Sequence, residues 1–115
     1  SMDDIRPINE DYAVTGQISA EDLPKIKEAG FRSIVCTRPD FEQPGQPTFE
    51  SVRHAAAELG IEVRHIPIGQ MGVTPEAITA MVDAVEEMEK PMLGYCRSGA
   101  RSTVVYQQSE RLRGG

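Results

Sequence analysis

Cysteine is scarce in this 115-residue sequence: Cys36 and Cys96 are its only two. Two thiols cannot form the disulfide framework of a small secreted domain, so a reducing, cytoplasmic setting is expected. Positive charge is also short, with 12 Lys and Arg against 18 Asp and Glu, a net charge of −6. That balance argues against general binding to nucleic acid or to an anionic membrane, both of which call for a basic surface. An anionic substrate would have to be drawn in by a local positive site. No run approaches the roughly 18 apolar residues of a membrane span. Asp3 and Asp4 stand where a signal peptide carries basic residues. The two histidines, His54 and His65, are scattered and lie near no cluster of acids, so no metal site and no cofactor are expected. Internal repeats and low-complexity runs are missing too. The length suits one domain over residues 1–115, with Ser1-Met2 read as a tag remnant ahead of a start methionine.

What is there alternates between short apolar strands and helices. Tyr12–Val14 reads as a strand ending at Thr15-Gly16-Gln17. Ser19, with Asp22 three residues on, reads as a helix N-cap, and Leu23, Ile26 and Ala29 then share a face up to Gly30. Ser33–Cys36 is a β-branched, buried strand. Thr37 to Thr48 carries three prolines and a glycine, a loop long enough to suggest function. Phe49, Val52, Ala55, Ala56 and Leu59 have helical spacing, and Ile61–Ile68 alternates as the next strand. Thr74-Pro75-Glu76 opens a helix with a cap, a proline at its first position and an early acid. Ile78, Met81, Val82, Val85 and Met88 form its apolar stripe. Pro91–Tyr95 is a final strand running into Cys96, and a last helix is expected over Ser102–Leu112. Four strands separated by helices predict an α/β fold with a mostly parallel four-stranded sheet flanked by helices. Ligands of such sheets bind beyond the carboxyl ends of the strands, where Cys96 falls.

The segment Cys96-Arg97-Ser98-Gly99-Ala100-Arg101-Ser102 has the parts of an anion trap. Successive backbone N–H groups of a tight turn can point inward, and the following helix adds its positive dipole end. Gly99 permits a backbone conformation that strains other residues. The Arg101 guanidinium can take two oxygens of a tetrahedral anion at once. The same field favours a thiolate at Cys96, and the Ser102 hydroxyl is placed to hydrogen-bond it. Arg97, Ser98, Gly99 and Ala100 are expected to line the anion site. Arg38, in the Pro-rich loop, reads either as a further positive group there or as a solvated residue. Cys36 reads as a buried inert thiol or as a partner in a reversible disulfide. His54 is expected to be solvated and His65 structural.

The run Tyr95–Ser102 resembles the active loop of cysteine-based phosphatases and also that of rhodanese-type sulfurtransferases. Gly16-Gln17, Gly30-Phe31, Arg38-Pro39-Asp40, the Ala-rich stretch at 55–57 and His65-Ile66-Pro67 resemble one family in particular. It is the bacterial phosphatase-like domain found as the N-terminal part of beta-lactamase-like hydrolases. The resemblance covers about residues 5–110. It implies a fold like that of dual-specificity and tyrosine phosphatases, and a fusion partner domain outside this chain. It also implies a Cys96 nucleophile acting on a phosphorylated small molecule or phosphoprotein through a phosphocysteine.

The sequence departs from the phosphatase pattern twice. Four residues, not five, separate Cys96 from Arg101, a spacing rhodaneses often use. Gln70 stands where tyrosine phosphatases carry a general-acid aspartate, which leaves Asp40 as the substitute acid and base, with a turn-forming role as its alternative. Two other functions therefore stay open: sulfur transfer through a Cys96 persulfide, and a silent module that binds anions or phosphoproteins without turnover.

Overall fold

The computed structural model describes residues 4–114. Ser1, Met2 and Asp3, with the tag reading placed on the first two, lie outside the described residues. Five strands form one sheet: β1 (Arg6–Pro7), β2 (Tyr12–Thr15), β3 (Ser33–Cys36), β4 (Glu62–His65) and β5 (Met92–Tyr95). The order across the sheet is β1-β2-β5-β3-β4. β2, β5, β3 and β4 run parallel, and β1 joins antiparallel at the edge. This is the mostly parallel α/β sheet expected, with one strand more. Arg6-Pro7 gave no strand signal, because two residues carry no periodicity and proline cannot donate to a ladder, which confines it to an edge. The fourth expected strand contracts from Ile61–Ile68 to Glu62–His65.

Four helices cover the faces: α1 (Leu23–Glu28), α2 (Phe49–Ala57), α3 (Pro75–Glu87) and α4 (Ala100–Leu112). Alternation along the strands sorts the core into two layers. Tyr12, Val14, Val35 and Met92 face α3 and α4, where they meet Met81, Val85, Val105 and Tyr106. Ala13, Ile34, Leu93 and Tyr95 face the other way, towards Leu23 and Ile26 of α1 and Val52 and Ala56 of α2. The Ser19–Asp22 capping box forms, ahead of a single 3-10 turn at Ala20–Asp22 that leads into α1. Thr74 caps α3 by accepting a hydrogen bond from the Ala77 N–H. Small residues shift two helix faces from expectation. Ala77 and Ala84 are buried on α3, leaving Ile78 and Val82 half-buried, and Ala29 is exposed beyond the end of α1. Among the described residues no helix is long and apolar enough to cross a membrane.

β5 is last in sequence yet central in the sheet, so its carboxyl end delivers Cys96 to the middle of that edge. The approach is tight at Gly94, where a Cβ would lie 2.0 Å from the Tyr12 Oη and 3.0 Å from the Ser102 Cβ. That Tyr12 hydroxyl donates to the Ser102 carbonyl at 3.0 Å, tying β2 to the first turn of α4. Gly94→Ala must push this contact apart, and overpacking of this kind costs roughly 1–3 kcal/mol. Denaturant unfolding should show that loss at unchanged m-value. A variant within about 0.5 kcal/mol of the parent would mean the contact yields freely.

Candidate active site

The chain leaves β5 at Tyr95, and Gly99 adopts φ +96°, which lets it turn directly into α4. A side chain at Gly99 would also press on the Arg6 Nη2 at 2.6 Å. The helix therefore starts at Ala100, two residues before the Ser102 start that was expected. Arg101 and Ser102 fall within its first turn, where backbone N–H groups have no partner in the helix. The Gly99 N–H donates to the Cys96 Sγ at 3.0 Å. Burial acts to raise the Cys96 thiol, but the amides of Ser102, Ser98, Arg101 and Gly99 outweigh it, and the net shift is downward. Arg6 steadies the loop from β1 by donating to the Ser98 carbonyl at 3.1 Å.

Ser102 presents two different groups. Its N–H faces the sulfur, while its fully buried hydroxyl pairs with the Thr37 Oγ1 at 2.7 Å. Thr37 can itself donate to the Tyr95 carbonyl, 3.3 Å away. When it does, the Ser102 proton goes to Thr37; when Thr37 donates to Ser102 instead, the Ser102 proton is left for another acceptor.

The two arginines expected at the site are joined by a residue the sequence reading passed over. The Glu42 carboxylate accepts from Arg101 Nη1 at 2.7 Å and Nη2 at 3.0 Å, and from Arg38 Nε at 3.0 Å. Arg101 Nη1 also donates to the Ile68 carbonyl at 2.8 Å. The hydrogen bond from Arg101, reinforced by Arg38, holds the Glu42 carboxyl at about 2. Arg38 is 3% exposed, and its remaining nitrogens go to Gln17 and Gln43. It orders the Pro-rich loop from inside and reaches the anion site only through Glu42. The one sequence signal for Glu42 is its place four residues after Arg38, in a loop already suspected of function.

Asp40 is placed elsewhere. Its Oδ1 accepts from the Phe49 N–H at 2.8 Å, at the start of α2. His65 donates through Nε2 to the Arg38 carbonyl at 2.9 Å and stacks on Phe49. His54 is exposed. Cys36 and Tyr95 are register partners on adjacent strands, so the two cysteines sit at neighbouring strand ends, and both are free thiols. Burial pushes the Cys36 thiol up, the opposite of Cys96. Among the described residues no group of three or more His, Cys, Asp or Glu could hold a metal ion.

A cleft of about 640 Å³ opens at this edge, lined by Pro39, Phe41, Glu42, Gln43, Gly69, Gln70, Arg97 and Arg101. Cys96, immediately before Arg97 in the chain, is buried beneath this edge. Phe41 takes φ +66° and leaves its ring 88% exposed at the cleft, a strained conformation of the kind that clusters at ligand sites.

A strand–loop–helix thiolate site at the carboxyl edge of a parallel sheet is the architecture of the tyrosine-phosphatase-like proteins. Solved structures share the fold. A phosphatase candidate from Neisseria meningitidis superposes with a TM-score of 0.84 at 24% identity, covering 96% of this chain and 79% of that one. Tk-PTP in its active form gives 0.59 at 19% identity, covering 96% and 85%. The sequence model of the beta-lactamase hydrolase-like protein, phosphatase-like domain, matches residues 4–112, and the chain belongs to that family. The beta-lactamase hydrolase-like protein of Agrobacterium fabrum is 35% identical over 107 residues, 93% of this chain. The chain spans about a quarter of that relative's length.

The shared carboxylate makes a testable contribution. Glu42 has a folded-state pKa of about 2, below the roughly 4.3 of an unfolded Glu. Its contribution is therefore complete above the unfolded value and is lost as pH falls towards 2. The stability advantage of the parent over Glu42→Gln should be full at pH 6 and about half gone near pH 3. Denaturant midpoints at pH 6, 4 and 3 measure it. A pH-independent gap would mean the ion pairs do not act on Glu42.

Proposed function

We propose that this domain is a cysteine-dependent phosphatase acting on phosphate monoesters, its nucleophile the Cys96 thiolate. The observation carrying this reading is the convergence of backbone amides from Ser98, Gly99, Arg101 and Ser102 on one sulfur. The amides that favour a thiolate can equally hold the equatorial oxygens of a phosphoryl group, with Arg101 beside them. In this mechanism Cys96 attacks phosphorus in line and forms a phosphocysteine, which water then hydrolyses. The Ser102 hydroxyl, when released by Thr37, stabilises the departing thiolate. We assign Asp40 to capping α2, since its carboxylate is engaged by the Phe49 N–H. Gln70, which lines the cleft, can orient a water but cannot exchange a proton with it. The substrate is a phosphorylated small molecule or phosphoprotein. Whatever follows this domain in longer relatives enters the reading only as a possible fusion partner.

Two observations favour a second reading. Only four residues separate Cys96 from Arg101, and no residue lining the cleft offers a proton at neutral pH. Sulfur transfer through a Cys96 persulfide suits both features, because its leaving group departs unprotonated. Parallel assays of p-nitrophenyl phosphate hydrolysis and thiosulfate:thiol sulfur transfer separate the readings. The phosphatase reading expects phosphate release that Cys96→Ser abolishes and that Arg101→Lys lowers by ~10²-fold or more, through loss of two-pronged anion binding. Sulfur transfer without phosphate release would reverse the order of the two readings. Tetrahedral-anion binding without either turnover would identify a silent module.

A further inference from the structure

The cleft is poor in acids and holds one free cation, and together these narrow the substrate. Among the described residues Glu42 is its only acidic lining residue, and no His, Lys, Tyr or Cys joins it there. The Glu42 carboxylate accepts three hydrogen bonds from two arginines and is ionised throughout the neutral range. Asp40, the other acid of that loop, is engaged at the start of α2. A general acid typically contributes ~10²–10⁴ in rate, chiefly by protonating a leaving alkoxide. Without one, the site suits leaving groups that are stable as anions.

Arg97 is the second observation. It directly follows the nucleophile, lines the cleft and is exposed, and it makes no hydrogen bond or ion pair with any described residue. Arg101, by contrast, has both terminal nitrogens occupied by Glu42. Arg111 is also without a partner, but it lines a separate apolar hollow with Ile78 and Leu112. In a chain of net charge −6, the unpaired cation at the reaction cleft is therefore Arg97. A guanidinium holds an oxyanion through two parallel hydrogen bonds.

Resting on the phosphatase reading, we infer that the substrate is a phosphoanhydride and that Arg97 receives the departing phosphate. The Cys96 sulfur attacks the terminal phosphorus, an S–P bond forms, and the bridging P–O bond breaks. The electron pair stays on the bridging oxygen of the leaving phosphate, whose charge Arg97 balances, so no proton is needed at that step. Water then attacks the phosphocysteine, the S–P bond breaks, sulfur recovers its pair as thiolate, and the proton of the water goes to solvent. One anhydride and one water give two phosphate groups.

The test compares tripolyphosphate, p-nitrophenyl phosphate, glycerol phosphate and thiosulfate as substrates of the parent, Arg97→Ala and Arg97→Lys. The parent should turn over tripolyphosphate with kcat/KM at least ~10²-fold above glycerol phosphate, the size of the missing acid contribution. Arg97→Ala should lose at least about tenfold more on tripolyphosphate than on p-nitrophenyl phosphate, with Arg97→Lys between. Hydrolysis of p-nitrophenyl phosphate but not tripolyphosphate would overturn the inference and leave the phosphatase reading standing. Equal losses on both substrates in Arg97→Ala would remove Arg97 from the leaving-group side and overturn it too. Turnover of thiosulfate alone would overturn inference and reading together.

Discussion

The candidate site depends on a buried sulfur being surrounded by backbone N–H groups. Burial on its own raises a thiol, as it does at Cys36. At Cys96 the same penalty is outweighed because the chain turns at Gly99 and points amides of Ser98, Gly99, Arg101 and Ser102 inward. Two thiols at neighbouring strand ends thus acquire opposite characters from backbone geometry. Side-chain charge adds to this, but the amides are fixed by the fold and cost no reorganisation during reaction. That geometry rests in turn on packing beneath it. Tyr12 holds the Ser102 carbonyl across Gly94, and β5 delivers the loop to the centre of the sheet edge.

A second layer controls charge around the sulfur. Glu42 neutralises part of Arg101 and links it to buried Arg38, which is itself anchored by Gln17 and Gln43. The Pro-rich loop is thereby locked to the Cys96 loop through a carboxylate between two guanidiniums. In an acidic chain this arrangement keeps a local positive site without leaving every arginine exposed. Among the described residues it also engages the only carboxyl that lines the cleft.

Much of this was legible in the sequence, for identifiable reasons. The turn at Cys96–Ser102 could be read because strand, Gly and Arg spacing are local. Likewise the capping box at Ser19 and the Thr74-Pro75 helix start depend only on neighbours in the chain. What escaped depends on distant contacts. Glu42 becomes part of the site only when the loop folds back onto Arg101, 59 residues away. Thr37 meets Ser102 across two adjacent strand ends. Arg6 reaches Ser98 from an edge strand too short to show any period. Arg38 and Asp40 have residue types suited to a phosphate site, yet the fold gives Arg38 an interior scaffold position and engages Asp40 at a helix start. Residue type suggests chemistry, but the direction of a side chain on a long loop is set by its partners.

The central claim is that the amide cradle lowers the Cys96 thiol below its ordinary range while burial raises that of Cys36. Alkylation of the folded protein by iodoacetamide across pH 4 to 9, followed peptide by peptide with mass spectrometry, measures it most directly. Cys96 should react with a pH midpoint well below the roughly 8.5 of a free thiol, and Cys36 should react slowly throughout. A Cys96 midpoint at or above that of a free thiol would contradict the account.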